Sequence, residues 1–213
     1  MKKIAIYGAG GFGKEIACLI NHINSEFLTW DFIGFFDDGL PKGYKNKFGT
    51  VLGGIQDLNS YSEELAIVIS VASPTVIEDL SGKIDNQLVY FPNLIAPNVL
   101  FLDKASMKIG KGNVVFFSCR ISCDVTIGNF NLLNSMVSLG HDVVTGDYNV
   151  IGPSSRISGE TTIGNANFFG VQSTVLQGLK IGNRTRVGAG SVIMRNTKND
   201  ALYLGNPAKR IVF

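Results

Sequence analysis

Residues 163–187 read IGNANF FGVQST VLQGLK IGNRTR V, and an apolar residue returns there at every sixth position. The same spacing continues without a break from Ile109 to Ile193, and only Thr145 in the series is not apolar. The marker positions of this repeat are Ile109, Val115, Ile121, Ile127, Leu133, Leu139, Thr145, Ile151, Ile157, Ile163, Phe169, Val175, Ile181, Val187 and Ile193. A period of six fits neither an α-helix nor a hairpin meander, and it predicts the hexapeptide coils of a parallel β-helix.

A second period is superimposed on the first, because Ile-Gly or Thr-Gly recurs at 109, 127, 145, 163 and 181, always 18 residues apart. Three hexapeptides therefore close one triangular coil, and residues 18 apart are vertical neighbours at about 4.8 Å. The glycine that often follows a marker predicts a sharp corner with positive φ. Four positions after the marker stand mostly small or amide residues, including Asn113, Asn131, Ser155, Asn167, Ser173 and Ser191.

Composition limits the classes of function. The chain has 213 residues, 45% of them hydrophobic, which is enough for a substantial core. A formal charge of only +2 gives no strong electrostatic attraction to nucleic acid or to a membrane, so we expect neither as a partner. The sequence contains neither a signal peptide nor a bilayer-spanning apolar run, so we expect a cytoplasmic protein. Three cysteines are too few and too irregular for a disulfide framework or a zinc site, so we expect no metal and a packing role for Cys119.

The N-terminal segment predicts a nucleotide site. A strand over Lys2–Tyr7 is followed by Gly8, Gly10 and Gly13 in a GxGxxG pattern, and then by a helical face. Such glycines let the backbone approach a pyrophosphate at the N-terminus of the helix. A second strand, Phe32–Phe36, ends at Asp37-Asp38, where a carboxylate can accept hydrogen bonds from a ribose or a base. The alternative is a tight turn with solvated aspartates.

Further elements complete a short α/β domain. We predict a third strand at Leu65–Ala72, a helical face through Val76 and Ile84, and a last strand at Leu88–Ile95. We therefore assign residues 1–88 to a Rossmann-like nucleotide-binding domain and residues 89–213 to the β-helix domain. The coils begin by Ile109, with an irregular start from Val99. The first domain is about half of a dinucleotide-binding fold, which suits a mononucleotide.

One histidine stands out as a candidate general base. His141 lies two positions after marker Leu139, on the outer wall of the helix, and Asp142 follows it. Imidazole titrates near neutral pH and a carboxylate can orient it. The alternative is a surface histidine in a turn. The 18-residue spacing puts Gly159 one coil above, where its N–H could face a developing oxyanion, and no nucleophile elbow is present, which favours direct transfer.

These residues together resemble a known family. The glycine motif with Asp37-Asp38, the His141-Asp142 pair, the hexapeptide repeat and the closing Gly205–Lys209 segment are similar to those of the bacterial NeuD/PglD-like sugar O-/N-acetyltransferases, with UDP-4-amino-sugar N-acetyltransferases closest in type. The likeness covers nearly the whole chain. It departs at Val71-Ala72-Ser73-Pro74, at Ala96 and at Phe12, which affects the identity of the sugar.

The resemblance implies a left-handed β-helix, a homotrimer and two substrates, acetyl-CoA and a UDP-linked 4-amino-4,6-dideoxy sugar. It implies that His141 is the base, that Asp142 orients it, that Asn134 assists near the acceptor and that the Gly159 N–H meets the thioester carbonyl. Seven basic residues crowd residues 180–210, and we expect Arg184 and Arg186 among them to bind the CoA phosphates.

Two other functions compete with N-acetylation. The first is O-acetylation of a sugar such as sialic acid, which the same base and acid would serve. The second is a non-catalytic β-helix that binds a nucleotide and regulates a partner, which predicts no use for His141-Asp142. An NAD oxidoreductase is disfavoured, because no second catalytic domain remains once the repeat is assigned.

Overall fold

The computed structural model describes residues 1–212 and begins with an α/β domain. Its elements are β1 (Lys2–Tyr7), α1 (Gly11–Glu26), β2 (Trp30–Phe36), β3 (Lys45–Asn46), β4 (Gly49–Gly53), α2 (Ile55–Asn59), β5 (Leu65–Ile69), α3 (Pro74–Lys83) and β6 (Val89–Tyr90). The sheet order is β3-β4-β2-β1-β5-β6, parallel throughout except for β3. The predicted first three strands and first helix are confirmed, with small shifts at their ends.

The central strands are buried because α1 packs against β1 and β2 and α3 packs against β5. Every residue of β5 is buried, as are the last four of β1, which explains their nearly continuous apolar sequences. Helix α1 places Ile16, Leu19 and Ile20 in the same core, at helical spacing.

The rest of the chain winds into a triangular parallel β-helix, as predicted. The first face consists of β7 (Leu94–Ile95), β10 (Val114–Val115), β13 (Leu132–Leu133), β16 (Val150–Ile151), β19 (Phe168–Phe169), β22 (Arg186–Val187), β24 (Leu202–Leu204) and β25 (Lys209–Ile211). The second face consists of β8 (Leu100–Phe101), β11 (Arg120–Ile121), β14 (Ser138–Leu139), β17 (Arg156–Ile157), β20 (Thr174–Val175) and β23 (Val192–Ile193). The third face consists of β9 (Lys108–Ile109), β12 (Thr126–Ile127), β15 (Val144–Thr145), β18 (Thr162–Ile163) and β21 (Lys180–Ile181). All pairs are parallel except the closing β24–β25 hairpin.

The 18-residue spacing is confirmed by the register of the strands. Ile127 pairs with Ile109 below it and with Thr145 above it. Markers from Val115 to Ile193 are buried and form the core of the helix. Thr145 is among them, and its Oγ1 is the only buried side-chain polar atom in residues 1–212 that lacks a hydrogen-bond partner.

The coils start earlier than predicted. The strand expected over Leu88–Ile95 is two strands, because β6 pairs with β5 of the N-terminal sheet whereas β7 pairs with β10 of the β-helix. The turn between β8 and β9 has two more residues than the four-residue turns from β9 to β23, so Asn113 bonds to Asn93, 20 residues away, but to Asn131 at the regular 18. These two extra residues shift the apolar positions of the first coil out of the six-residue spacing, so the repeat in the sequence does not reveal it. The division at residue 88 stays a prediction, and Phe213 lies outside the described residues.

The role predicted for the glycines after the markers is wrong. Positive φ falls on the third residue after the marker, such as Asp124 at 56° and Asp142 at 57°. The glycine right after the marker is needed for space instead. A Cβ on Gly128 would lie 2.5 Å from the carbonyl oxygen of Gly146, and one on Gly140 would lie 2.4 Å from the nitrogen of Gly159. These glycines therefore let successive coils approach each other.

The amide residues fill the interior edge between the third and first faces with a hydrogen-bonded ladder, while Ser155, Ser173 and Ser191 lie on the edge between the first and second faces. Asn131 Nδ2 donates to Asn113 Oδ1 at 3.1 Å, and Asn149 Nδ2 donates to Asn131 Oδ1 at 3.0 Å. Each buried amide is thus paired with the coil below it, which offsets its desolvation. Cys119 is fully buried, as expected from its place in the repeat, and burial raises the pKa of its thiol to about 11.

The α/β domain rests on the first face of the β-helix. Val114, Leu132 and Val150 of that face belong to the same buried cluster as the N-terminal sheet. The ring of Phe12, which follows the glycine motif, lies 5.7 Å from the ring of Phe116. One continuous core therefore fixes the glycine motif beside the coils. Among residues 1–212, no helix has both the length and the apolar character needed to cross a bilayer.

We expect Gly128→Ala to destabilise the protein by about 2 kcal/mol, because the added methyl group meets the backbone of the next coil. This corresponds to a fall in Tm of roughly 4–8 °C. Gly190→Asn is the matched control, since Gly190 has a φ of 64° with no atom within 4 Å of an added Cβ, and asparagine tolerates that conformation. Equal melting temperatures for the two variants would contradict the close-approach explanation.

Candidate active site

His141 and Asp142 lie on the turn between the second and third faces, which we call the base edge. Asp142 occupies the left-handed position of that turn, and this conformation directs its carboxylate toward the preceding side chain. His141 Nδ1 lies 2.8 Å from Asp142 Oδ2. A carboxylate at Nδ1 holds the proton there and leaves Nε2 as the basic nitrogen. The two side chains are 46% and 57% exposed, so a substrate can reach them.

Gly159 lies against the imidazole, where the 18-residue spacing predicts it. A Cβ on Gly159 would be 2.6 Å from His141 Nε2, so only glycine leaves room for the ring. The coils on either side are joined to this turn, because Glu160 N donates to His141 O at 2.8 Å and Asp142 N donates to Cys123 O at 3.1 Å. The N–H of Gly159 donates no hydrogen bond within residues 1–212.

A cleft of about 320 Å³ opens beside His141. Its lining includes Arg120 and Arg156, whose strands flank β14 on the second face, and three serines. Our sequence reasoning missed both arginines. The signal was available, because Arg120, Ser138 and Arg156 are spaced by 18 residues and each stands just before a marker.

Asn134 is not brought to His141 within one chain. It follows β13 on the turn between the first and second faces, and strand β14 separates that turn from the base edge. Its side-chain oxygen accepts a hydrogen bond from Ser135 N at 2.7 Å. Phe116 lies one coil below it and contacts Phe12. Asn134 therefore shares an edge with the glycine motif of the α/β domain.

The structure separates the three glycines of the motif by role. Gly8 has a φ of 110°, and a Cβ there would lie 2.5 Å from Ser70 Oγ. A Cβ on Gly13 would lie 2.0 Å from Gly8 O, so Gly13 permits the packing of helix on strand. Gly10 has no atom within 4 Å of an added Cβ. Of these three glycines only Gly10, with the adjacent Gly11, presents open backbone at the N-terminus of α1, where a phosphate would be favoured.

Asp37 and Asp38 organise the loops around this motif. Asp37 accepts hydrogen bonds from Ala9 N and Gly39 N, each at 2.8 Å. Asp38 accepts from Ile55 N at 2.9 Å and from the hydroxyl of Tyr7. Burial and this bond to Asp38 raise the pKa of Tyr7 well above its usual value. Carboxylate oxygens have a second lone pair, so both acids keep capacity for a ligand.

Arg184 and Arg186 lie away from the His141 cleft. Arg184 Nε is 2.7 Å from Asp200 Oδ1, and the Arg186 guanidinium lies 5.6 Å from the centre of the Phe168 ring. A third arginine, Arg195, occupies the same position of the repeat as His141, three coils farther along the base edge.

A cleft of about 630 Å³ lies at that end of the base edge, and Arg195, Lys209 and Arg210 line it together with apolar residues. Among residues 1–212, no three His, Cys, Asp or Glu side chains are placed to hold a metal ion.

Comparison with known proteins agrees with this architecture. The family described as the PglD N-terminal domain matches residues 3–83. The acetyltransferase domain of PglB from Neisseria gonorrhoeae FA1090, solved with acetyl coenzyme A, is 28% identical with a TM-score of 0.89, and 99% of each chain is covered. WeeI from Acinetobacter baumannii AYE is 28% identical with a TM-score of 0.88, covering 99% of this chain and 100% of that one.

PerB from Caulobacter crescentus, solved with CoA and GDP-perosamine, is 25% identical with a TM-score of 0.87, covering 100% of this chain and 98% of that one. No curated protein sequence matches the chain.

An α/β domain followed by hexapeptide coils with a His–Asp pair on one edge defines a β-helix acyltransferase, and the helix is of the left-handed type. Within that class the chain is similar to the NeuD/PglD-like sugar acetyltransferases, through the match of residues 3–83 to the PglD N-terminal domain and the likeness of the whole chain to the PglB domain and WeeI.

Proposed function

We propose that the protein is an acetyl-CoA-dependent N-acetyltransferase acting on a UDP-linked 4-amino-4,6-dideoxy sugar. The observation that carries the proposal is the His141–Asp142 pair, with the imidazole exposed to a cleft and set against Gly159. Solved relatives that bind acetyl coenzyme A, or CoA with GDP-perosamine, support this pair of substrates. The product would be a sugar of the bacillosamine type, made in the cytoplasm.

The reaction follows from these groups. The neutral amine attacks the thioester carbonyl, and His141 Nε2 takes the proton that the nitrogen loses. Asp142 stabilises the resulting imidazolium, and the N–H of Gly159 donates to the oxyanion of the tetrahedral intermediate. The intermediate collapses with cleavage of the carbon–sulfur bond, and the proton on His141 passes to the leaving thiolate. No covalent acyl-enzyme is required.

The two substrates approach from different directions. The glycine motif with Gly10 and Asp37 would hold the nucleotide, on the same edge as Asn134. Because β14 separates Asn134 from His141 in one chain, a groove between subunits is needed to combine them, which supports a homotrimer.

Acetyl-CoA would lie along the base edge, with its thioester at Gly159. Its phosphates would then fall near Arg195, Lys209 and Arg210, about 14 Å from His141 at the spacing of stacked strands. Arg184 and Arg186 stay a prediction for the same phosphates, and within one chain they lie outside this path.

We expect His141→Ala to lower kcat by about 10²–10⁴-fold without unfolding the protein, because the side chain is exposed and supplies general-base catalysis. The fall in rate toward acidic pH, where the base is protonated, should disappear. Asp142→Asn should cost less, because the base remains. Steady-state kinetics against pH measure both effects. A near-normal kcat with an unchanged pH profile in His141→Ala would place the base elsewhere.

We expect Gly10→Val to weaken UDP-sugar binding while the protein keeps its melting temperature, because the branched side chain fills open space needed by the phosphates. Gly13→Ala is the contrasting variant and should lose stability, since its Cβ meets Gly8 O. Calorimetric titration with UDP-sugar and acetyl-CoA separates the two ligands. Equal UDP-sugar affinity in wild type and Gly10→Val would remove the nucleotide from this motif, and tighter binding of NAD than of UDP would overturn the assignment of the whole domain to a uridine nucleotide.

We expect Arg195→Glu with Lys209→Glu to raise the KM for acetyl-CoA by about tenfold or more, because each residue loses a charge-assisted hydrogen bond to phosphate. Arg184→Glu with Arg186→Glu tests the other location. Whichever pair leaves the acetyl-CoA KM unchanged does not bind the CoA phosphates.

A further inference from the structure

Two arginines beside the base are not used by the chemistry described above. Arg120, Ser138 and Arg156 are successive residues of one column on the second face, since Ser138 pairs with Arg120 on one side and with Arg156 on the other. Adjacent strands are about 4.8 Å apart, so the backbones of the two arginines lie about 10 Å apart with Ser138 between them. All three residues line the cleft that contains His141.

The charges of these arginines are not neutralised by the protein. Within residues 1–212, neither guanidinium has a carboxylate oxygen within 4.0 Å, whereas Arg184 is paired with Asp200. Of the acids on the base edge near them, Asp142 bonds to His141 and Glu160 accepts from Gln177 Nε2 at 2.9 Å, while Asp124 forms no salt bridge with either arginine within residues 1–212. Two unpaired guanidinium groups with a hydroxyl between them match the oxygens of a phosphate.

The position of the pair selects which phosphate it binds. The CoA phosphates are separated from the thioester by the whole pantetheine arm, so they cannot lie in the cleft where the thioester carbonyl meets His141. In a 4-amino sugar the anomeric carbon lies across the ring from the amine, and it carries the phosphate of the nucleotide. That phosphate is therefore one ring width from the base.

We propose that Arg120 and Arg156 bind the sugar-linked phosphate of the acceptor, with Ser138 donating between them, while the glycine motif binds the nucleotide end. This inference rests on the proposed function. The arginines of the second face would then make the enzyme prefer amino sugars that carry a phosphate over free amino sugars.

The test compares wild type with Arg120→Gln, Arg156→Gln and the double variant. Lys108→Gln is the matched control, because Lys108 is an exposed cation on β9 of the third face, outside the cleft. Acceptors are a UDP-linked 4-amino sugar and the methyl glycoside of the same sugar, and inorganic pyrophosphate is tested as a competitive inhibitor against the nucleotide sugar.

We expect the double variant to lose about 10²-fold in kcat/KM for the nucleotide sugar, about tenfold for each arginine. Its Ki for pyrophosphate should rise at least tenfold, while the methyl glycoside reaction, the acetyl-CoA KM and the Lys108→Gln variant change less than twofold. An unchanged pyrophosphate Ki would overturn the proposal. So would an equal loss on both acceptors, a raised KM for acetyl-CoA alone, or a smaller assembly by light scattering, which would make the arginines subunit contacts.

The experiment also separates this inference from the proposed function. If wild type acetylates neither acceptor, the proposed function fails. If wild type acetylates both with similar kcat/KM, the function stands and the phosphate specificity fails.

Discussion

The vertical hydrogen bonding of one coil to the next is the constraint on which the rest of the structure depends. Each turn must bring its backbone within bonding distance of the turn below, as Glu160 N does with His141 O at 2.8 Å. Two features of the turns follow. Where glycine follows the marker it leaves room for the backbones of successive coils to meet, and the third residue after the marker adopts positive φ to change the direction of the chain. Many residue types adopt positive φ at this third position, including Phe130 and Glu160, and Asp142 is among them; aspartate is one of the residues in which this conformation is enriched.

Because the stacking has a constant register, the position of a residue in the repeat also states its position in space. His141, Gly159 and Arg195 belong to one column, while Arg120, Ser138 and Arg156 belong to the neighbouring one. The scaffold thus orients functional groups at intervals of one strand spacing. The length of a substrate then determines which column and which coil each of its chemical groups can contact.

Much of the fold could be predicted because the repeat is regular, and the errors have physical causes. The markers and the buried amide ladder follow directly from the period. The prediction of positive φ at Gly128 was wrong because glycine is favoured both by positive φ and by close approach of two backbones, and the sequence does not distinguish the two. The first coil was missed because two extra residues before Ile109 break the period. Asn134 is separated from His141 because their turns lie on different edges of the β-helix. The column of Arg120 and Arg156 was missed because exposed arginines are common in any sequence.

The exposure of the His141–Asp142 pair bears on how the site works. In open water an ion pair between two such side chains contributes little, because solvent screens it. Stabilising a developing oxyanion and an imidazolium requires a site that excludes water and holds its polar groups already oriented. A single chain provides the orientation, through the turn conformation of Asp142 and the contact of the ring with Gly159. The exclusion of water must then come from what covers the base edge, namely the substrates and, in the proposed trimer, the wall of a neighbouring helix.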